Sequence, residues 1–333
     1  MSPWKLCLFS TKPYDKTFFE QANNAYGFNI SFFDCELNQK TVVLAKSFDV
    51  VCVFVNDNVD APILEQLKAQ GVKALALRCA GYNNVDLNAA KRLGIKVVRV
   101  PEYSPEAVAE HTVGLMLTLS RKFHKAYNRV KEDNFALNGL LGFNLHKKTV
   151  GIIGTGKIGQ ATSKILQGFG CTVLAYDPFP QNKLENEHFK YVELDSLIVQ
   201  ADIISLHCPL TQDTQHLIND KAISMMKNNV MLINTSRGGL IDTKAAIQAL
   251  KSKKIGYLGL DVYEQESDLF FEDLSNEIID DDIFQRLLTF PNVLITGHQG
   301  FFTQEALTAI ATTTLENIKC LNENNACPNQ LEI

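Results

Sequence analysis

A chain of 333 residues, 46% hydrophobic and 21% charged, has the balance of a folded globular protein with room for about two domains, which excludes a disordered chain. A formal net charge of −5 without a strongly basic run argues against nucleic acid as the main partner, and no apolar run approaches the roughly 20 residues of a membrane span. Eight cysteines without a C-x-x-C pair read as free thiols of a reducing cytoplasm, so neither a disulfide framework nor a metal site is expected.

The opening residues read as a strand, "KLCLF" at 5–9, rather than as a secretory leader. Further strands are predicted at "NISFF" (29–33), "VVCVFV" (50–55), "KALAL" (73–77) and "KVVRV" (96–100), with helices at "DAPILEQLKAQ" and "VDLNAAKRLG". Such alternation of strand and helix predicts a parallel sheet, and strands this apolar imply cover on both faces. Ser104-Pro105 opens a long helix predicted to run to about Lys125. "KKTVGIIG" (147–154) then begins a second series, with strands at 172–177, 202–207, 230–235, 257–262 and 292–297 and a last helix at 303–321. Two α/β domains follow, the second beginning near residue 102.

Within the second series, "GTGKIG" satisfies G-x-G-x-x-G at Gly154, Gly156 and Gly159, after an apolar strand and at the head of a helical pattern. In that context the first glycine serves a tight turn, the second close approach of a pyrophosphate, and the third helix–strand packing. Lys157 and Ile158 open the helix, whose N-terminus offers N–H groups and a positive dipole to phosphates. Asp177 lies 23 positions after Gly154 (177 − 154), at the end of the next strand, where an acid binds the ribose hydroxyls. A carboxylate there repels a 2′-phosphate, and "DPFPQ" supplies no arginine, so the expected cofactor is NAD rather than NADP.

Arg237 in "NTSRGGLID", Glu266 in "GLDVYEQESDLF" and His298 in "ITGHQGFF" each follow a predicted strand, at the carboxyl ends where doubly wound folds bind ligands. Singly, each also reads as a surface charge or a structural histidine. Together, after an NAD turn, they suit a small carboxylate substrate that undergoes proton transfer.

These motifs, with "ISLHCPLT", resemble the D-isomer-specific 2-hydroxyacid dehydrogenases over essentially the whole chain. "RCAGYNNVDL", "VPEYSPEAVAEHT", "DLFFED" and "CPNQL" resemble its fermentative lactate branch in particular. The resemblance implies two doubly wound parallel-sheet domains. A flavodoxin-like substrate domain, 1–101 with 298–333, would have a Rossmann NAD domain, 102–297, inserted in it, with nicotinamide and substrate in the cleft between them. It further implies that Arg237 grips a carboxylate and that His298 is acid and base for reversible reduction of pyruvate to D-lactate. Glu266 would orient the His298 ring and favour its protonated form.

Ala80 and Gly81 would hold the carboxylate through backbone groups, Tyr103 would help close the pocket and Phe301 would limit its size. On the cofactor side, Cys208, Pro209 and Thr214 would lie along the adenosine and ribose, and Thr235, Ser236 and Asp261 by the nicotinamide. Packing is an equal reading for the Cys208 thiol, and Lys12 reads as a solvated loop lysine. A homodimer or homotetramer is implied, with the helix near 104–125 as its candidate interface. The alternatives are a dehydrogenase of another D-2-hydroxy acid and an NAD-sensing corepressor-like binding protein. Two departures stand out: Gly297 replaces a proline common before the histidine, and Gly300 stands where alanine is common. The stretch at 269–288 is longer than in many members and reads either as subunit or cleft contacts or as a solvated excursion.

Overall fold

The computed structural model describes residues 4–266 and 269–331; Asp268, at the head of "DLFFED", lies outside the described residues. The chain divides into two compact units, Met1–Ser104 with Phe302–Ile333, and Pro105–Phe301. The sequence puts the crossings at 101/102 and 297/298, and the first falls at 104/105. The second falls at 301/302, so His298 and Phe301 belong to the second unit.

The first unit contains strands β1 (Lys5–Leu8), β2 (Asn29–Phe32), β3 (Val50–Val53), β4 (Ala74–Leu77) and β5 (Lys96–Arg99). Its helices are α1 (Pro13–Asn23), α2 (Ala61–Ala69), α3 (Leu87–Leu93) and, from the chain's end, α11 (Gln304–Asn322). The sheet is parallel in the order β2-β1-β3-β4-β5, the flavodoxin-like order. Side chains alternate between its faces, as the twofold repeat of a strand requires. Cys7, Val51, Val53, Leu75 and Leu77 enter one core, while Leu6, Leu8, Val50, Cys52 and Ala76 enter the other. Ala311, Leu315, Ile318 and Leu321 of α11 complete the second core, which is why the C-terminal helix belongs to the first unit. Asp60 and Asp86 cap α2 and α3 by accepting the N–H of Ile63 (3.1 Å) and Ala89 (2.9 Å).

The second unit carries seven parallel strands: β6 (Thr149–Ile153), β7 (Thr172–Tyr176), β8 (Phe189–Tyr191), β9 (Ile203–Leu206), β10 (Val230–Asn234), β11 (Ile255–Leu260) and β12 (Val293–Ile295). Their order, β12-β11-β10-β9-β6-β7-β8, is that of a Rossmann sheet with one further edge strand, and the order reverses between β6 and β9. Its helices are α4 (Pro105–Arg121), α5 (Phe123–Lys131), α6 (Lys157–Gly168), α7 (Leu194–Gln200), α8 (Asp220–Met225), α9 (Thr243–Lys251) and α10 (Asp282–Leu288). One face packs Val150, Ile152, Val173 and Ile233 against Met116 and Leu119 of α4. The other packs Ile153, Ile204, Leu206 and Leu232 against Leu197 of α7 and Ala246 of α9.

Two details depart from the sequence reading. The long helix expected to about Lys125 stops at Arg121 and restarts at Phe123, with Lys122 in the left-handed region (φ 56°). There Gly142 crosses so near the end of α4 that a Cβ on it would lie 2.1 Å from the Ser120 carbonyl oxygen. Strand β8 went unseen because three residues at a sheet edge show no alternation.

Candidate active site

The glycine turn joins β6 to α6 where the strand order reverses. Gly154 adopts φ +95°, and a Cβ on it would lie 2.6 Å from the Cys208 amide nitrogen. At Gly159 a Cβ would lie 2.0 Å from the Gly154 carbonyl oxygen. Gly156 has an ordinary φ of −63°, and a Cβ on it would meet no heavy atom within 4 Å. The fold thus requires glycine at 154 and 159 but not at 156. Gly156 is also the N-cap of α6 and provides no side-chain cap, so the positive end of the helix faces the turn uncovered by a capping side chain.

Asp177, one residue beyond β7, accepts the Thr155 N–H (2.7 Å) and hydroxyl (3.0 Å) on Oδ2 and the Phe179 N–H (2.9 Å) on Oδ1. Tyr191 of β8 donates its hydroxyl to Thr155 Oγ1 at 3.0 Å. Backbone that admits close approach, a helix N-terminus with Lys157 and Ile158 in its first turn, and an oriented carboxylate one strand away fit a dinucleotide.

Two further loops close on this turn. Ser236 donates to the Cys208 carbonyl at 2.7 Å, tying the loop after β10 to the loop after β9. Burial raises the Cys208 thiol to about 11, which keeps it protonated and favours packing over chemistry; burial also lowers His207 to about 4 and holds it neutral. The Thr214 hydroxyl is engaged within its own turn, donating to the Pro209 carbonyl (2.7 Å) and accepting the Thr211 N–H (2.8 Å). Buried Thr235 shares a 2.8 Å hydroxyl contact with Thr112 of α4.

Beyond β10, Asn234 shapes the loop that carries Arg237, accepting the Ser236 N–H (3.0 Å) and donating to the Arg237 carbonyl (2.8 Å). A Cβ on Gly238 would lie 2.0 Å from the Tyr263 carbonyl carbon. Glycine here lets the Arg237 loop press against the loop that ends in Glu266. Glu266 Oε2 accepts the Tyr263 N–H (2.9 Å), and its Oε1 lies 2.9 Å from His298 Nδ1. Both side chains are about four-fifths buried. With Nδ1 engaged by a carboxylate, Nε2 is the ring nitrogen left for a substrate. The Phe271 ring lies 5.7 Å from the imidazole, and Phe301 is buried. Arg237 Nη1 donates to the Ser236 carbonyl at 2.7 Å. One strand away, Asp261 holds the His298 loop through the N–H groups of Gln299 (2.9 Å) and Gly300 (2.8 Å). The departure at Gly300 has a local cause, because a Cβ there would lie 2.9 Å from Asp261 Oδ2, whereas at Gly297 it would meet nothing within 4 Å.

In the first unit, the "RCAGY" loop follows β4. Arg99 donates to the Ala80 carbonyl (2.7 Å) and the Cys79 thiol to the Gly81 carbonyl (3.3 Å). Among the described residues, the N–H groups of Ala80 and Gly81 have no acceptor. Lys12 is the N-cap of α1, its N–H bound to Asp15 Oδ2 at 2.9 Å, and Tyr103 lies half-buried one residue before the first unit's crossing. Sequence reasoning missed Thr155, Tyr191, Thr112, His111 and Thr296. Thr155, Thr296, His111 and Thr112 sit inside motifs already quoted, but nothing in a motif says which of its residues carries the supporting hydrogen bond.

A family model described as the NAD-binding domain of D-isomer-specific 2-hydroxyacid dehydrogenases matches residues 113–300. The chain is 56% identical to the D-lactate dehydrogenase of Escherichia coli (strain K12), covering 98% of this chain and 99% of that protein. The apo structure of D-lactate dehydrogenase from Escherichia coli superposes with a TM-score of 0.89 at 53% identity, over 98% of this chain and all of that one. D-lactate dehydrogenase from Lactobacillus jensenii, solved with NAD+, superposes with a TM-score of 0.83 at 30% identity, over 99% of this chain and all of that one.

Proposed function

Because the chain belongs to the D-isomer-specific 2-hydroxyacid dehydrogenases, we propose that it interconverts pyruvate and D-lactate with NAD as its cofactor. The observation that carries the reaction class is the 2.9 Å Glu266–His298 pair beyond the carboxyl ends of a Rossmann sheet. When bound, the nicotinamide supplies or accepts the hydride. Arg237 holds the substrate carboxylate, for which its planar fork suits two parallel hydrogen bonds. In pyruvate reduction His298 Nε2 delivers a proton to the keto oxygen; in lactate oxidation it removes that proton. Glu266 fixes the ring and supplies the counter-charge to its protonated form. The N–H groups of Ala80 and Gly81 serve as carboxylate donors, and Tyr103 and Phe301 restrict the side chain beyond the keto carbon. Asp177 selects NAD by repelling a 2′-phosphate.

The enzyme works in the cytoplasm as a homo-oligomer on this reading. Eight free cysteines suit a reducing compartment, and no helix among the described residues is long and apolar enough to cross a membrane. Val113, Leu115, Met116 and Leu119 of α4 pack into its own unit's core, so we place the candidate interface, expected near 104–125, at the end of that stretch and on α5. There Phe123, Tyr127 and Val130 are all more than half exposed.

The test mixes purified protein and NADH with pyruvate, 2-ketoisocaproate or hydroxypyruvate and follows NADH absorbance, with chiral analysis of the product. Pyruvate with the highest kcat/KM, giving D-lactate alone, is expected. A preference for the branched acid would move the assignment to another D-2-hydroxy acid. NADH binding without turnover of any of them would favour a sensing role.

A further inference from the structure

His298 adopts φ +51°, a left-handed conformation that a residue with a side chain keeps only when its surroundings impose it. Asp261 is the main partner that imposes it here, with the Thr296 carbonyl also accepting the His298 N–H at 3.0 Å. The carbonyl of Asp261 accepts the His298 N–H at 2.7 Å, Oδ1 accepts the Gln299 N–H at 2.9 Å and Oδ2 the Gly300 N–H at 2.8 Å. The backbone that carries the imidazole is therefore held chiefly by one buried residue, so its geometry follows that carboxylate's.

Two side chains fix the carboxylate in turn. Thr296 Oγ1 donates to Asp261 Oδ1 at 2.5 Å. His111 Nε2, from α4, lies 3.2 Å from the same oxygen and 3.0 Å from Thr296 Oγ1. The single threonine proton goes to Asp261, and an ionised carboxylate only accepts, so His111 Nε2 must carry a hydrogen. Burial alone would raise the Asp261 carboxyl, but the hydrogen bonds from His111 and Thr296 outweigh it and hold the group below the ordinary carboxylate range. The His111 ring also lies 3.5 Å from where a Cβ on Gly300 would stand, so ring and loop pack directly.

We infer that His111 is a positioning residue for the reaction: its Nε2–H fixes the Asp261 carboxylate, and through it the backbone that aims His298. This rests on His298 as the proton donor. His111 touches neither substrate nor cofactor in this scheme, and it ties the helix that opens the second unit to the loop that ends it. The bridging hydroxyl of Thr296 predicts the same dependence from the other side.

The test compares His111→Phe, which keeps a ring but no N–H, with His111→Gln, whose amide can restore a donor, and with Thr296→Val. His298→Asn is the reference. Hydride transfer is followed in single turnovers at saturating pyruvate, expressed per NADH-binding site, so that misfolded protein does not count. His111→Phe and Thr296→Val should transfer hydride at least tenfold more slowly, with a much smaller change in Kd for NADH, and His111→Gln should recover most of the rate. Should His111→Phe fail to fold, Thr296→Val decides. Parent-like rates in both variants, with His298→Asn inactive, would overturn the inference while leaving the role of His298 intact. Equal loss in His111→Gln and His111→Phe would reduce His111 to packing and overturn it as well. An active His298→Asn would remove the underlying reading and the inference with it.

Discussion

At Gly159 a Cβ would lie 2.0 Å from the Gly154 carbonyl oxygen, whereas at Gly156 it would meet nothing within 4 Å. The same G-x-G-x-x-G pattern thus contains one position held by packing and one open to a ligand. Gly156→Ala should leave stability within about 1 kcal/mol, because the weaker helix cap and the lower entropy of the unfolded chain oppose each other. Its NADH affinity should fall about tenfold or more, since the new methyl stands where the pyrophosphate must approach. Gly159→Ala should instead destabilise the protein by about 1–3 kcal/mol, through a methyl forced against backbone. Denaturant melts and NADH fluorescence titrations on both variants separate the two effects. Gly156→Ala with parent-like NADH affinity would mean that the phosphates do not pass over this residue.

Each unit secures its central strands by a similar device. Asp49, just before β3, accepts the N–H of Lys5 at the start of β1 (2.9 Å) and pairs with Lys73 (2.7 Å). Asp202, just before β9, accepts the N–H of Thr149 at the start of β6 (2.9 Å) and pairs with Lys227 (2.8 Å). In both units these are the strands where the order reverses, so the device locks register at the end of the sheet opposite the site. Burial alone would raise the Asp202 carboxyl, but the Lys227 and Thr149 hydrogen bonds prevail and lower it. A depressed carboxyl contributes stability that is fully present above its unfolded value, about 3.9, and is lost as pH falls through the folded value. Asp202→Asn should therefore cost roughly 1 kcal/mol at neutral pH, with the gap to the parent closing below about pH 4. Urea melts across pH check this, and a gap that persisted at pH 3 would show the charge to be irrelevant. Strands as apolar as Val50–Val53 could be read from sequence because burial on both faces leaves an unbroken hydrophobic run. Lys122 and β8 could not, since the first depends on Gly142 crossing a helix end and the second on a three-residue edge. Arg237, Glu266 and His298 were legible as motifs, while His111 and Thr296 were not. Their contact spans 185 positions and carries no local pattern.

The chain crosses between its units twice, at 104/105 and 301/302, and each unit has a core on both faces of its own sheet. Those cores use the apolar residues of nearly every helix, yet α5 buries none of its residues. Phe123, Tyr127 and Val130 recur at i, i+4 and i+7 and form one stripe, 52%, 64% and 52% exposed. Phe135, Leu137 and Leu141 follow within a few residues at 70%, 79% and 87%. A contiguous apolar stripe that its own chain leaves exposed marks a surface suited to a partner. A second copy of the chain is the occupant the proposed homo-oligomer supplies. Closed symmetry would bring this stretch of each copy against its neighbour. Tyr127→Glu with Leu137→Glu places charges in the stripe without touching Arg237, Glu266 or His298. The double variant should sediment at a fraction of the parent's mass, and its melting temperature should lose the concentration dependence that association confers. Glycine turn and Glu266–His298 pair both lie within one chain, so NADH binding by the dissociated protein is expected to persist. An unchanged sedimentation coefficient for the double variant would mean that some other surface holds the copies together, or that the protein acts alone.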